Sequence, residues 1–490
     1  MLFNSYLFIL CFLPLTLAGF YILSPRSKRA AQMYLLAMSL WFYGYYDPVY
    51  LLLICGSIAG NYIFSRLLQK DAGRKTGEEY RGSKALLAAA VISNVALIFY
   101  FKYYDFFISN VNSVFKTDFV LKHILLPLGI SFFTFQQISF IADSWKGLTK
   151  DYSLLEYALF VTYFPQLVAG PIVLHNEIIP QFRTIGRNRP DTALISRGIM
   201  LFTLGLSKKV LIADWLGKAV DHAYGSAAAA SSAELMIAVA AYTLQIYFDF
   251  SGYSDMAVGL GAMFGFTLPI NFDSPYQSLS VPEFWRRWHM TLGRFLQKYI
   301  YIPLGGNRKG PARTFINTMI TFAVSGLWHG ANFTFILWGL LHGLGVGTGR
   351  LIGRYTEKIP KALRWAFTYL FVTFAFGLFR ADSVGQYGMI LKKIFTGGTW
   401  KASEDFLSLF KIPNLRYLME TAHIPYTDMA FYGFSAAFVL IGSLLICLLC
   451  GNNYKRVYKT NALTLAGTLI LLTMCLLSLS RVSVFLYFNF

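Results

Sequence analysis

Long apolar runs separated by short polar loops recur along almost the whole chain, and no other feature constrains its fold as strongly. The first run covers residues 2–23, and others follow as far as residue 480. A run of roughly 20 apolar residues crosses a bilayer as an α-helix, which pairs its backbone polar groups internally. Several runs are shorter, which predicts re-entrant or buried segments. We expect an all-α polytopic membrane protein with about 11 to 13 membrane helices.

Composition and charge exclude other classes of protein. Hydrophobic residues make up 56% of the 490 residues and charged residues 14%, against roughly 25% charged in soluble domains. A net charge of +19 would suggest nucleic-acid binding in a soluble protein. Here the Lys and Arg residues lie in short loops, as expected for the cytoplasmic side of a membrane protein. The five cysteines lie in apolar runs, so the sequence predicts neither a disulfide framework nor a metal site.

The distribution of basic residues also predicts the orientation. None precedes the first apolar run, and the first basic cluster, at residues 26–29, follows it. Because basic loops stay on the cytoplasmic side, we expect a multi-pass protein with an extracytoplasmic N-terminus. The charged segment 381–428 should then be extracytoplasmic. It is either a docking surface for a partner or an ordinary loop with interfacial helices.

Polar residues become dense between residues 245 and 330, where a purely structural membrane bundle would avoid them. Ionisable groups inside a membrane are costly and mark functional sites by default. Gln245 and Asp249 are four residues apart and share a helical face, with Asp255 further along. The pair Ser251-Gly252 predicts a break in this helix. Either these polar groups line a substrate passage, or they cap and hydrogen-bond a kink.

A second polar segment begins at Ser280. Ser280 and Glu283 have capping-box spacing, with Pro282 in the first turn, so a helix should begin here. Aromatic residues recur at helical spacing as far as Tyr299, with basic residues on another stripe. This predicts one amphipathic helix, bound either to anionic lipid or, beside the titratable His289, to an anionic ligand. Its basic residues are Arg286, Arg287, Arg294 and Lys298.

His329 can be placed in depth from the charges around it. Basic residues precede its apolar run and follow the next one, so both ends of this hairpin should be cytoplasmic. The 16 residues from Arg313 to His329 would span roughly 24 Å as a helix, against about 30 Å of hydrocarbon. His329 should therefore lie deep in the membrane, towards the outer side, and stay neutral. It is either a general base for a hydroxyl or thiol, or a structural hydrogen bonder.

The run after His329 is predicted to pack closely against a neighbouring helix. Gly339, Gly343 and Gly347 are four residues apart and form a stripe of small residues, which lets two helices approach. His342 should not share a helical face with His329, because their separation corresponds to about 220° around an ideal helix. We interpret His342 as a hydrogen bonder between helices.

Seven motifs occur in order along most of the chain. They are Phe164-Pro-Gln-Leu-Val-Ala-Gly-Pro-Ile172, Tyr247-Phe-Asp-Phe-Ser-Gly-Tyr-Ser-Asp255, Phe284-Trp-Arg-Arg-Trp-His289, Tyr301-Ile-Pro-Leu-Gly-Gly-Asn-Arg-Lys-Gly310, Leu327-Trp-His-Gly-Ala-Asn332, Phe379-Arg-Ala381 and Phe485-Leu-Tyr-Phe-Asn-Phe490. With these motifs the chain resembles the membrane-bound O-acyltransferase (MBOAT) family, and within it the bacterial alginate O-acetylation (AlgI-like) group.

The resemblance implies an O-acetyltransferase in the bacterial cytoplasmic (inner) membrane, with His329 as the catalytic histidine and His289 as the second polar position. It implies cytoplasmic acetyl-CoA as the donor and no bound cofactor. An extracytoplasmic SGNH-type partner would pass the acetyl group to an alginate-like exopolysaccharide or to peptidoglycan. We expect one membrane domain over residues 1–490, with a catalytic core at about 120–350 and C-terminal spans at about 429–490.

The expected mechanism uses both histidines. CoA phosphates would dock on the four basic residues of the segment 286–298. His329 would take the proton of the nucleophile, and His289 would orient the thioester or stabilise the oxyanion. Two alternatives remain open: DltB-like D-alanyl transfer from a carrier protein to teichoic acid, and a transporter or lipid scramblase without acyl transfer. Further candidates for substrate contacts are Asp249, Asp255, Trp328 and Asn332.

Overall fold

The structure is a computed structural model that describes residues 1–72, 83–149, 151–186, 191–455, 461–479, 483 and 485–486. Within these ranges the regular structure is helical, without strands, which confirms the predicted all-α class. Two apolar helical segments, Leu7–Leu23 and Ala462–Ser478, are shorter than the roughly 20 residues of a typical span. The prediction of about 11 to 13 membrane helices counts short segments as well, and that number stays a prediction. Among the described residues, six segments are long and apolar enough to cross a membrane: Val49–Asp71, Lys84–Phe115, Ser232–Met263, Phe333–Gly353, Lys361–Arg380 and Asp428–Leu449.

Two π-helical turns occur among the first five helices of the chain. The π turn Leu7–Phe12 leads directly into the first helix, and the π turn Phe99–Tyr103 joins the fourth to the fifth. A π turn carries one residue more than an α turn, so it redirects the side chains within it. The helices are α1 (Leu13–Leu23), α2 (Lys28–Gly44), α3 (Val49–Ala72), α4 (Lys84–Ile98) and α5 (Tyr104–Phe115).

The next four helices are short and lie largely inside the protein. Ser153 starts one of them through a capping box with Glu156. The apolar run 153–173 does not form one spanning helix but two short ones, and both are buried within the fold. The prediction of buried short segments is thus confirmed. These helices are α6 (Ile130–Trp145), α7 (Leu154–Thr162), α8 (Phe164–Leu167) and α9 (His175–Arg183).

Two long helices in the centre of the fold approach each other through glycines. A Cβ atom added at Gly252 would lie 2.7 Å from the carbonyl oxygen of Gly205 on the facing helix. The predicted break at Ser251-Gly252 is wrong, because the helix continues unbroken through both residues. Gly252 permits close packing instead. The elements are α10 (Thr192–Ser207), the π turn Lys208–Ala213, α11 (Asp214–Gly225) and α12 (Ser232–Met263).

The predicted amphipathic helix over residues 280–299 is interrupted. Its start is confirmed, since Ser280 Oγ accepts a hydrogen bond from the backbone N–H of Glu283 at 3.3 Å. The prediction of one continuous helix is wrong, however, because His289 has left-handed backbone geometry (φ +43°), and a right-handed α-helix cannot continue through such a residue. The elements here are α13 (Val281–Arg287), α14 (Met290–Leu296) and the π turn Gln297–Tyr301.

The helix that ends at His329 and the one that follows form a closely packed hairpin. A Cβ atom added at Gly347 would lie 2.6 Å from the ring of Phe315, so the predicted small-residue stripe is confirmed as a packing face. His342 accepts a hydrogen bond from Trp285 Nε1 at 3.0 Å, which confirms it as a hydrogen bonder between helices. The two helices are α15 (Gly310–His329) and α16 (Phe333–Thr356).

The segment 381–428 is folded against the bundle. Its first helix buries Ile390 and Ile394, and Phe406 and Phe410 join the same apolar cluster. Partner docking by this segment stays a prediction. The C-terminal helices are α17 (Lys361–Arg380), α18 (Val384–Thr396), α19 (Glu404–Ser408), α20 (Pro413–Thr421), α21 (Asp428–Leu449) and α22 (Ala462–Ser478).

Contacts between distant parts of the chain define two ends of the bundle. At one, the histidine end, Asn332 Nδ2 donates to the carbonyl of Asp382 at 2.8 Å. At the other, the basic end, Asn452 Nδ2 donates to the carbonyl of Phe272 at 3.0 Å. Three further contacts join other loops to the basic end. Tyr21 donates to the carbonyl of Met263. A Cβ atom added at Gly349 would lie 2.8 Å from Pro282, while Arg350 contacts Tyr301. The basic end therefore holds the loops around residues 24–28, 264–280, 302–310 and 450–455. Charge predicts that this end faces the cytoplasm.

Candidate active site

His329 lies where two apolar clusters meet. It is the last residue of α15, which ends because Gly330 adopts extended backbone, and it is only 5% exposed. Its ring centroid is 4.9 Å from that of Trp328, which belongs to an apolar cluster formed mostly by residues before 270. On its other side, the same centroid is 5.1 Å from that of Trp338 and 5.2 Å from that of Phe379, and both rings belong to a second cluster between residues 213 and 447. Aromatic walls therefore shield the imidazole from water.

His289 is the second buried histidine of the site. It is 1% exposed, and its ring centroid lies 6.4 Å from that of His329. Its left-handed backbone costs a non-glycine residue roughly 1–2 kcal/mol. Such strain persists only where the surroundings hold it, and it clusters at functional sites. The structure thus brings together the two histidines that the sequence singled out.

Asn271 holds His289 in place, and the sequence analysis missed it. Its carbonyl accepts from the backbone N–H of Met290 at 2.9 Å, and its side-chain Oδ1 accepts from Thr291 Oγ1 at 2.6 Å. His289 Nδ1 lies 3.3 Å from the same Oδ1. Because an amide oxygen has no proton, Nδ1 must be the donor, and a neutral His289 then carries its lone pair on Nε2. No local pattern marks Asn271, since its partners are about 20 residues away.

Two adjoining cavities at the basic end form what we call the arginine groove. One, of about 420 Å³, is lined by Arg286, Arg294 and Arg350, with Met290 in its wall. The other, also about 420 Å³, adds Arg308 and shares Arg350. Met290 directly follows His289, so the groove comes within one residue of the histidine pair. Arg350 is one of the basic residues that follow the apolar run after His329. These residues served only to predict the orientation, and the place of Arg350 in the groove was missed.

The predicted basic residues differ in how far they are neutralised. Arg294 Nη2 lies 2.9 Å from Glu177 Oε2, and Lys298 Nζ lies 2.9 Å from Asp143 Oδ2. Arg287 forms an ion pair with Glu283 at 2.9 Å and does not line the groove. Arg286, in contrast, is exposed, and no carboxylate in the described part of the chain pairs with it. Of the four predicted basic residues, Arg286 is therefore the one most available to an anion.

The two predicted carboxylates lie in ion pairs rather than in the groove. Asp249 Oδ1 is 2.6 Å from Lys209 Nζ, and Asp255 Oδ2 is 2.7 Å from Lys208 Nζ. Both lysines belong to the π turn after α10, which aims two consecutive side chains at α12. Asp249 also accepts from the backbone N–H of Leu486 at 3.0 Å. These contacts stabilise the fold, and a role for either carboxylate towards substrate stays a prediction.

Cavities also flank His329 at the histidine end. A small one, of about 40 Å³, is lined by His329, Trp328, Lys102 and Ser131. A larger one, of about 650 Å³, is lined by Asn332, Gln245 and Arg380. Phe379, whose ring contacts His329, also lines it. Trp328 and Asn332, predicted as substrate contacts, thus both lie beside His329. In the described ranges no three His, Cys, Asp or Glu side chains converge as a metal site would require.

Comparison with known protein families places this site in context. The model of "MBOAT, membrane-bound O-acyltransferase family" matches residues 35–384. The match includes both histidines and every arginine of the groove. It covers more than half of the chain, in agreement with the resemblance seen in the motifs.

Several named proteins are similar to this chain. A "Peptidoglycan O-acetyltransferase" of Helicobacter pylori is 37% identical, and the alignment covers 100% of this chain and 98% of that protein. A "Probable alginate O-acetylase AlgI" of Pseudomonas aeruginosa is 38% identical over 88% of this chain and 81% of its own length. A "Teichoic acid D-alanyltransferase" of Bacillus subtilis is 26% identical over 51% and 68%, respectively. Similarity to the acetylating proteins is therefore both higher and more extensive.

Proposed function

The chain belongs to the membrane-bound O-acyltransferase family, and from this premise we propose that it passes acetyl groups from cytoplasmic acetyl-CoA across the bacterial cytoplasmic membrane to O-acetylate an extracytoplasmic polysaccharide. That it is an O-acyltransferase follows from the family match and from relatives aligned over most of the chain. The names of those relatives support peptidoglycan or an alginate-like exopolysaccharide as the polymer. One observation carries the proposal: His329 lies between the arginine groove and the cavities of the histidine end.

The chemistry of the groove supports a nucleotide-bearing thioester as donor. Guanidinium groups bind phosphates through paired, charge-assisted hydrogen bonds. CoA carries a diphosphate and a 3′-phosphate, whereas a carrier-protein donor presents a single phosphodiester on its pantetheine arm. Arg286, Arg308 and Arg350 line the adjoining cavities without a carboxylate partner in the described ranges, and three such guanidinium groups suit the more highly charged ligand.

The separation between groove and histidine suits a donor with a long thiol arm. Thr321 of α15 lines the groove, and His329 follows it by eight residues on the same helix. Eight residues of helix correspond to about 12 Å. A phosphate group bound among the arginines and a thioester at His329 would therefore be joined by an extended arm passing Met290.

At His329 the acyl transfer balances as a direct displacement. The imidazole accepts the proton of the attacking hydroxyl, whose oxygen forms a bond to the acetyl carbon. The carbon–sulfur bond then breaks, and the thiolate leaves as CoA thiol with the proton from His329. His289, held by Asn271 with its lone pair on Nε2, is arranged to accept a hydrogen bond and orient the reacting groups.

The remaining parts of the proposal concern topology and partner. Basic loops at the end that holds the groove favour a cytoplasmic donor site and an extracytoplasmic N-terminus. The segment 381–428 lies at the histidine end through the contact of Asn332 with Asp382. It is the surface that we assign to an SGNH-type partner, which would carry the acetyl group to the polymer.

Thiol release from acetyl-CoA by the purified full-length protein tests the proposal. His329→Ala should lower kcat by at least about 100-fold, the lower limit for losing a general base. His222→Ala, which removes an exposed histidine of α11 away from the site, is the matched control and should not change kcat. Undiminished thiol release by His329→Ala would refute the role of His329.

The same assay separates the competing functions. The matches to D-alanyltransferases over about half of the chain favour a carrier-protein donor as the second candidate. A D-alanyl carrier protein that is consumed while acetyl-CoA is not would establish that candidate. Solute or lipid flux without any thioester cleavage would instead indicate a transporter or scramblase.

A further inference from the structure

Two consecutive side chains of the π turn Phe99–Tyr103 bind the end of the helix that carries His329. Lys102 Nζ donates to the backbone carbonyls of Trp328 at 2.8 Å and of His329 at 2.9 Å. The hydroxyl of Tyr103 donates to the carbonyl of Leu327 at 2.7 Å. Three successive carbonyls of the last turn of α15 are therefore satisfied from one neighbouring helix.

These carbonyls need partners from outside the helix. The last four carbonyls of an α-helix have no intrahelical donor, and inside a membrane there is little water to replace one. A cation at a helix C-terminus also interacts favourably with the helix dipole. No carboxylate in the described ranges forms an ion pair with Lys102, so these carbonyls and Ser131 Oγ, at 3.3 Å, solvate its ammonium group.

The π turn explains how adjacent residues reach one target. In a regular α-helix, residues i and i+1 point about 100° apart, and only i+3 or i+4 share a face with i. The extra residue of a π turn changes this spacing, and π turns are frequent at functional sites. Lys102 lies within the candidate span Lys84–Phe115, where an ionisable residue is a functional hypothesis by default.

We propose that Lys102 and Tyr103 are positioning residues that fix the catalytic imidazole of His329 by clamping the end of α15. The inference rests on the proposed role of His329 and adds to it the reason why a residue at a helix end, where fraying is easiest, stays aligned. The ammonium group lines the same small cavity as His329, so the clamp acts directly at the site. A misplacement of about 1 Å can cost about 100-fold in rate.

Kinetics of the purified full-length enzyme test the clamp. Lys102→Met should lower kcat for acetyl-CoA thiol release by about 100-fold. KM should stay within about twofold, because the phosphates of the donor would bind in the arginine groove, which Lys102 does not line. Lys102→Arg should recover at least about tenfold of that loss, since a guanidinium group also donates to several carbonyls. Tyr103→Phe should lower kcat by about fivefold through the loss of one neutral hydrogen bond. Lys84→Met, at the exposed start of α4, is the matched control and should leave both constants unchanged.

A purely stabilising role predicts a different pattern. It would lower Tm or the folded fraction of Lys102→Met and leave kcat per folded molecule unchanged, without rescue by arginine, and this result would overturn the inference. If Lys102→Met does not accumulate as folded protein, Tyr103→Phe tests the clamp in its place. An unchanged kcat for Tyr103→Phe would also overturn the inference. His329→Ala in the same series separates the two proposals: if it retains activity, the proposed function fails, whereas loss of activity in His329→Ala alone refutes only the clamp.

Discussion

Replacing Arg286 with alanine should weaken the binding of acetyl-CoA and leave the acetyl-transfer step intact. Arg286 lines the arginine groove, is exposed, and has no carboxylate partner in the described ranges, so its guanidinium group is available to a phosphate. Arg287, the next residue, is a matched control with the same side chain. It is paired with Glu283 at 2.9 Å and does not line the groove.

The expected magnitude follows from the exposure of this site. A hydrogen bond to a charged group contributes about 1.5–3 kcal/mol, and the lower end applies here because solvent and salt screen an exposed guanidinium group. A loss of about 1.4 kcal/mol raises KM about tenfold. Arg287→Ala removes a solvent-accessible ion pair, of about 0–1 kcal/mol, and a hydrogen bond to the carbonyl of Asp273 at 3.3 Å. Neither partner lines the groove, so KM should stay within about twofold of wild type.

Acetyl-pantetheine provides the decisive second substrate. It carries the same thioester as acetyl-CoA but lacks the phosphates that the groove would bind. Thiol release is measured for both donors over a range of concentrations and at two ionic strengths. Arg286→Ala should raise KM for acetyl-CoA alone, and higher salt should reduce the difference from wild type. For acetyl-pantetheine, wild type and Arg286→Ala should have the same KM.

Two results would refute this reasoning. If Arg286→Ala and Arg287→Ala raise KM for acetyl-CoA equally, general positive charge at the basic end attracts the donor, and the groove does not bind it specifically. If Arg286→Ala lowers kcat with KM unchanged, the residue acts in the transfer step and the donor phosphates bind elsewhere.

Other predictions concern packing, orientation and the second histidine. Gly252→Val should lower the free energy of unfolding by about 1–3 kcal/mol, because α10 leaves no space for a side chain. Gly442→Ala, where a Cβ atom would meet nothing within 4 Å, should leave the thermal midpoint unchanged, and equal midpoints for both variants would contradict the packing argument. In a cysteine-free background, a membrane-impermeant maleimide should label Lys28→Cys only in inside-out vesicles and Lys401→Cys only in right-side-out vesicles; the reverse would invert the topology. Asn271→Ala should lower kcat about tenfold at constant KM, since His289 Nδ1 and Thr291 Oγ1 lose the side-chain oxygen that accepts from them, and an unchanged kcat would show that this contact is dispensable.

Features that depend on neighbours along one helix could be predicted from the sequence. The capping pair Ser280 and Glu283 lies where its spacing indicated, and the glycine stripe that includes Gly347 is a packing face. His342 bonds to another helix, as an intramembrane histidine must when no water is near. In each case the determining interaction lies within a few residues, or follows from the apolar surroundings alone.

The two wrong predictions about helix continuity share a physical cause. Gly252 is compatible either with a break or with close approach of a second helix, and only the position of α10 decides between them. His289 breaks a segment that is periodic on either side, because Asn271 binds the backbone that follows it. Local sequence cannot distinguish these outcomes, since the deciding atoms belong to other elements.

Local sequence also could not show which basic residues are paired with carboxylates. Arg294 is neutralised by Glu177 and Lys298 by Asp143, residues that precede them by 117 and 155 positions. The sequence showed four equivalent cations at 286, 287, 294 and 298, and of these four the fold leaves only Arg286 without a carboxylate partner in the described ranges. Selecting among like charges therefore requires tertiary contacts.

The polar groups of the site come from places where a helix ends or changes pitch. His329 ends α15, His289 separates α13 from α14, and Lys102 lies in a π turn. An unbroken helix in a membrane has no free backbone groups and points its side chains outward at fixed intervals. Irregular backbone adds carbonyls and N–H groups that other side chains can bind, as Asn271 does at the histidine turn. Because the surrounding protein must satisfy every such group, each irregularity is held by specific partners, and at Lys102 and Asn271 those partners also contact the residues that carry the imidazoles.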